Sequence, residues 1–110
     1  MDDCIFCKII VGEIPSKFVY EDDRCVAFDD IHPKAPVHVL VLPRKHIPRL
    51  MDAVESEEGL LGHLLSVANR IARDRGIAEE GYRVTINVNR GAGQVVFHLH
   101  LHVMGGRRFE

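Results

Sequence analysis

The chain has 110 residues, 46% of them hydrophobic and 27% charged, with a formal net charge of −2, which suits one domain (residues 1–110) with a single core and no disulfide staples. No apolar run approaches the ~20 residues of a membrane span, and the opening Met1-Asp2-Asp3 carries acid where a signal peptide carries base, so a cytoplasmic protein without a membrane partner is expected. The slight negative charge argues against nucleic acid as the main partner.

Asp2 or Asp3 can cap a short helix over 4–11, with Gly12 as its stop. Cys4 and Cys7, three apart, fall on one side of that turn, as a metal pair or as two thiols. An odd count of three cysteines in a reducing compartment disfavours a disulfide framework. Residues 18–20 and 25–28 read as a hairpin around the polar turn 21–24, with Cys25 as a small buried hydrophobe. The 29–36 loop is stiffened by Pro33 and Pro36, and on spacing alone Asp29-Asp30 is a solvated turn. Residues 37–42 form the most apolar strand, ended by Pro43. His38 shares a face with Leu40 and Leu42, so it is enclosed and needs a hydrogen-bond partner.

The basic loop 44–48 leads to a helix over 54–75, whose stripe is Leu60, Leu61, Leu64, Leu65, Ala68, Ile71 and Ala72. Its early glutamates and late arginines match the macrodipole, and Gly76 ends it. His63 lies beside the stripe as a rim residue with no assigned role. Residues 82–89 alternate as a strand, and 90–94 form a glycine-containing turn.

The last element is Val95-Val96-Phe97-His98-Leu99-His100-Leu101-His102-Val103-Met104. Three of the seven histidines stand within five residues, each separated by one leucine. As a strand this sends Phe97, Leu99, Leu101 and Val103 into a core and sets His98, His100 and His102 in a row on the other face. Such a row can chelate an ion or perform acid–base or nucleophilic chemistry. The tally is α+β: about five strands in an antiparallel sheet, one long helix and one short one.

The ladder His98-Leu99-His100-Leu101-His102-Val103-Met104 resembles the signature of the histidine triad (HIT) family. Cys4-Ile5-Phe6-Cys7 with Gly12-Glu13-Ile14-Pro15 is similar to the start of many bacterial members. Val26-Ala27-Phe28-Asp29-Asp30-Ile31, Leu42-Pro43-Arg44-Lys45-His46-Ile47 and Gly93-Gln94-Val95-Val96-Phe97 resemble further family segments, in order and over nearly the whole chain. Tyr82-Arg83 before Asn87, and Gly105-Gly106-Arg107 after the ladder, are similar to the HINT branch of purine nucleoside phosphoramidases.

The resemblance implies a HIT-like fold and hydrolysis of purine nucleoside 5′-phosphoramidates through a nucleotidyl-histidine. It implies His100 as nucleophile, with His102 serving a phosphoryl oxygen or the leaving amine. Asn87 is implied as an amide donor near the phosphate, Asp30 as the acceptor from ribose hydroxyls, and Phe28 with Ile31 as an apolar slot for the base. Backbone N–H groups of the Gly93-Gln94-Val95 turn can serve the phosphate, and His38 supports the site. A structural zinc on Cys4, Cys7, His46 and His98 is implied, as is a homodimer through the 60–72 helix and the 82–88 strand. The chain departs from the HINT pattern at Val95, where a serine often stands, and it ends at Glu110 before the aromatic, proline-rich tail of many members. Other readings are a dinucleoside-polyphosphate hydrolase or nucleotidyl transferase of another HIT branch, a metallohydrolase with one zinc on all three ladder histidines, and a nucleotide-binding interaction module.

Overall fold

A computed structural model describes residues 3–110. Its elements are α1 (Ile5–Ile10), β1 (Phe18–Glu21), β2 (Cys25–Asp29), β3 (Val37–Pro43), α2 (Glu58–Asp74), β4 (Tyr82–Thr85) and β5 (Leu101–Gly105). The strands form one antiparallel sheet in the order β1-β2-β3-β5-β4. This is the expected α+β class, with the most apolar strand, β3, at its centre.

Alternation divides the sheet into two faces. Cys25, Ala27, Val39, Val41, Leu101 and Val103 point to one, where Leu64, Val67, Ala68, Ile71 and Ala72 of α2 cover them. Cys25 is fully buried there, and burial pushes its thiol up to about 12. Val26, Phe28, Leu40 and Leu42 point to the other face and form a second, smaller core with Phe6. His38 and His102 belong to this second face by register, since Leu40 pairs with His102 and His38 with Met104. The histidines therefore have a sheet behind them and only a one-and-a-half-turn helix in front.

Several boundaries differ from expectation. The cap of α1 is Cys4, whose Sγ accepts from Cys7 N–H at 3.2 Å; Asp3 plays no such part, and Asp2 lies outside the described residues. Helix α2 starts at Glu58 because Glu55–Glu57 is a 3-10 turn, pinned by Val54 N–H and Lys45 on the Glu57 carboxylate. Leu65 is exposed, and Val67 takes the buried place assigned to it.

The ladder is the largest difference. Strand pairing begins only at Leu101. In the β3–β5 register the residue opposite Leu99 is Pro43, which has no N–H to donate. The Leu99 N–H goes instead to Ile47 O at 2.6 Å. Leu99, Leu101 and Val103 enter the main core as expected, but Phe97 stays half-buried under the Arg90 guanidinium.

Candidate active site

The row of histidines is held by hydrogen bonds that settle which nitrogen carries each proton. His98 Nε2 lies 2.8 Å from Pro43 O and His100 Nδ1 lies 2.7 Å from His98 O. A carbonyl only accepts, so His98 is protonated at Nε2 and His100 at Nδ1. The free lone pairs are then His98 Nδ1 and His100 Nε2. Lys34 N–H donates to His38 Nδ1 at 3.0 Å, which puts the proton of neutral His38 on Nε2. That proton points at His102 Nδ1, 2.9 Å away, with Asp30 Oδ2 a longer 3.4 Å distant. His102 Nδ1 is thus an acceptor, and its own proton sits on Nε2. One imidazole offers a lone pair and its neighbour offers an N–H, with ring centroids 5.0 Å apart.

Burial keeps these rings neutral. Desolvation lowers His100, outweighing the opposing pull of its bond to His98 O and of Asp30. Desolvation, with His100 and His38 nearby, takes His102 down to about 4. His38 is lowered by burial despite Asp30. A neutral imidazole with a free nitrogen needs no prior deprotonation to act as a nucleophile. The Phe6 ring closes the side of His100 edge-on at 5.1 Å and also meets Phe28 at 5.6 Å.

Cys4, Cys7, His46 and His98 bring four ligand atoms within 4.8 Å of one another. The Nδ1 atoms of His46 and His98 are 3.3 Å apart, and S–N separations run from 3.3 to 3.5 Å. A tetrahedral ion bound at ~2.0–2.1 Å to nitrogen and ~2.3 Å to sulfur spaces its ligands by about 3.3 Å N–N and about 3.5 Å N–S. His98 turns its lone pair inward because Nε2 is occupied by Pro43 O, the outer hydrogen bond that a metal-bound histidine needs. Burial and the adjacent Cys4 push the Cys7 thiol up to about 11, so a thiolate pair here calls for a compensating cation. The donor set therefore fits a metal ion.

Asp30, His38 and His102 also converge, but the proton on His38 Nε2 occupies the position a metal would need, and the cluster is satisfied as it stands. Nor do the three ladder histidines share a centre. The His98 lone pair faces the cysteines, and His100 Nδ1 is bound to a carbonyl.

The 93–95 turn leaves fewer backbone donors free than the sequence suggests. Gly93 N–H bonds to Arg90 O and Gln94 N–H to Asn89 O. Among the described residues, Val95 is the member of that turn whose N–H has no protein acceptor, and its side chain is 86% exposed. Asn87 is half-buried two residues beyond the end of β4, with no protein partner for its amide among the described residues. Asp30 Oδ1 accepts from His32 N–H at 2.9 Å, leaving Oδ2 toward His38. Phe28 is buried and Ile31 is 86% exposed. His63, left without a role above, has one in the scaffold: Arg24 donates to its Nδ1 at 3.1 Å, and its Nε2–H meets Asp22 Oδ2 at 2.6 Å. An aspartate four residues upstream of a β-strand's second residue gave no sequence signal for that pairing.

The HIT domain family matches residues 11–109. The chain is 53% identical over 109 residues to an uncharacterized HIT-like protein of Synechocystis sp., covering 99% of this chain and 95% of that one. It is 49% identical over 106 residues to the purine nucleoside phosphoramidase of Escherichia coli (strain K12), covering 96% and 89%. The fold superposes on a HIT family hydrolase from Clostridium thermocellum with a TM-score of 0.97 at 47% identity, covering 100% and 96% of the two chains.

Proposed function

The chain belongs to the HIT domain family, and from that premise we propose that it hydrolyses purine nucleoside 5′-phosphoramidates through a nucleotidyl-His100 intermediate. The observation that carries this is the pair of opposed imidazoles: a free lone pair on His100 Nε2 beside an N–H on His102 Nε2. The Escherichia coli relative, named a purine nucleoside phosphoramidase, supports the substrate class.

His100 Nε2 attacks the α-phosphorus and the P–N bond breaks. The electron pair leaves on nitrogen, which takes up a proton from solvent as the amine departs, and the water that attacks in the second step returns one. The phosphorylated imidazole is now cationic, and its Nδ1–H bond to the His98 carbonyl strengthens with that charge. His102 Nε2–H, Val95 N–H and the Asn87 amide hydrogen-bond to the phosphoryl oxygens as charge develops there. Asp30 accepts from the ribose hydroxyls, and Phe28 with Ile31 flanks the base. Water then displaces His100 from phosphorus, giving the nucleoside monophosphate and restoring the neutral ring.

Zinc on Cys4, Cys7, His46 and His98 is a structural ion in this reading. It ties α1 and the 43–48 loop to the row and takes no part in the reaction. The protein works as a homodimer through α2 and the outer strand β4, whose free edge and the exposed Leu65 support that assignment.

Mass spectrometry after mixing with adenosine 5′-phosphoramidate tests the reading. A nucleotidyl adduct on His100, absent in His100→Ala along with turnover, is the expected result. Turnover that survives His100→Ala overturns it.

A further inference from the structure

Gln94 is 3% exposed and spends its whole amide inside the protein. Its Oε1 accepts from Asn89 N–H at 2.8 Å, and its Nε2 donates to Pro48 O at 2.8 Å and Val96 O at 3.0 Å. The orientation is forced, because two carbonyls can only accept and the backbone N–H can only donate. A flipped amide would lose all three bonds.

Each partner stands two residues from a residue of the site. Asn89 follows Asn87, Pro48 follows His46, and Val96 precedes His98. One side chain therefore joins the end of the β4 segment, the loop carrying a candidate metal ligand and the segment entering the histidine row. It is also next to Val95, whose N–H has no acceptor among the described residues.

Asn89 makes the clamp consequential. It is the one non-glycine among the described residues with positive φ, at 72° with ψ 173°. A residue with a Cβ resists that conformation and persists in it only when its surroundings hold it there. Gln94 Oε1 holds the Asn89 N–H, the Asn89 carbonyl receives Gln94 N–H at 3.1 Å and Ala92 N–H at 3.2 Å, and the Asn89 side chain accepts from Arg90 N–H at 2.9 Å.

We propose that Gln94 is a positioning residue for the phosphoryl pocket: it touches no nucleotide, and it holds the strained 89–94 turn so that Asn87 and the Val95 N–H meet the phosphoryl oxygens. This rests on the phosphoramidase reading above. Glutamine suits the role because it carries one acceptor and two donors at this reach. Glutamate would set an acceptor against the two carbonyls, and methionine would keep the volume without any of the bonds.

The test compares Gln94→Met and Gln94→Glu with wild type in steady-state hydrolysis of adenosine 5′-phosphoramidate and in hydrogen exchange. A loss of kcat of roughly 10–100-fold is expected, because misplacing positioning groups by about 1 Å costs up to about 10²-fold, with KM moved by less than about threefold. The Gly93 and Gln94 amides should lose at least about tenfold in exchange protection while those of β3 and β5 keep theirs. Adding Asn89→Gly, which removes the strain, should restore part of the kcat lost in Gln94→Met, because the two positions are coupled. A raised KM with unchanged kcat means direct nucleotide contact and overturns the proposal, as does unchanged protection at Gly93 and Gln94. If Gln94→Met does not fold, Gln94→Glu and the exchange behaviour of Asn89→Gly alone decide; in the latter, the turn amides should gain protection or keep it. A wild type that forms no His100 adduct sinks the phosphoramidase reading instead, and the exchange result still judges the clamp.

Discussion

The ring of His100 donates from Nδ1 to the backbone carbonyl of His98, 2.7 Å away and two residues back in the chain. The same His98 turns its ring the other way, giving Nε2–H to Pro43 O and its lone pair to Cys4 and Cys7. Neighbouring side chains of one repeat are thereby locked in opposite tautomers. Nitrogen-15 NMR of the ring nitrogens should find His100 protonated at Nδ1 and His102 at Nε2. Replacing His38 by alanine removes the proton donated to His102 Nδ1, so His102 should become a mixture of tautomers. The expected loss of kcat is roughly 10–100-fold, the scale of misplacing a group that meets the reacting phosphate. A His102 that stays wholly Nε2–H in that variant refutes the relay.

Removing the proposed structural zinc should cost stability before it costs chemistry. Helix α1 has six residues, far too short to persist alone, and its one buried side chain, Phe6, packs on His98 and His100. An ion held about a thousandfold above its dissociation constant contributes ~4 kcal/mol. Cys7→Ser should therefore lose bound zinc and unfold at markedly lower temperature, while the fraction still folded retains His100 adduct formation. Elemental analysis with calorimetry checks the first part, and adduct mass spectrometry the second. Loss of turnover on chelation with no change in melting, reversed by zinc, contradicts the structural assignment.

The fold was legible wherever one period governed one buried face. The hairpin, the apolar β3 and the stripe of α2 all follow from alternation or helical spacing, because burial leaves little choice there. The convergence of Cys4, Cys7, His46 and His98 was visible only through resemblance, since the two histidines meet the two cysteines across loops whose path no local pattern specifies. The ladder misled in part. Its period of two is real for Leu99, Leu101 and Val103, yet a proline on the opposing strand cuts the pairing short, and a long-range partner, Ile47, takes the freed amide. Gln94 gave no sign of its three internal bonds, because the hydrogen bonds of a buried amide are set by segments 46 residues away as well as by neighbours.

Asp22 predicts an acid-sensitive scaffold. Desolvation, the largest single influence, would raise its carboxyl, but bonds from Arg24 N–H, His63, Tyr20 and Cys25 N–H together hold it well below the usual carboxylate range. With the folded pKa depressed, its stabilisation is complete above the unfolded value of ~3.9 and is lost as pH falls from there. Asp22→Asn should cost about 2 kcal/mol at pH 7, the scale of hydrogen bonds to a charged group. Urea titrations should show that gap closing between about pH 5 and pH 2. A gap independent of pH would mean that the charge of Asp22 contributes nothing.

Gly105 tests the packing of α2's end against the sheet. A Cβ there would stand 2.6 Å from Ile77 Cδ1 and 2.9 Å from Ile77 Cβ, and Ile77 is itself buried. Gly105→Ala should destabilise by ~1–3 kcal/mol, the usual cost of overpacking. Ile77→Val removes the Cδ1 clash but leaves the Cβ contact, so the double variant should recover only part of the loss. Full additivity of the two changes in chemical denaturation would place the strain elsewhere.

Val95 separates stability from substrate choice. Its side chain is 86% exposed, and among the described residues its N–H has no protein acceptor. Val95→Ser should therefore leave unfolding within ~0.5 kcal/mol of wild type, as surface substitutions do. The backbone donor is unchanged, so the rate of nucleotidyl-His100 hydrolysis, which has already lost its amine, should stay within about twofold. The added hydroxyl is expected to meet the leaving amine, and one such bond is worth ~0.5–1.5 kcal/mol. Adduct formation should accordingly change by roughly 2–12-fold, and by different factors for a primary amine and for a bulkier secondary one. Rapid-quench kinetics resolves the two steps. Equal effects on both would assign Val95 to the phosphate rather than to the leaving group.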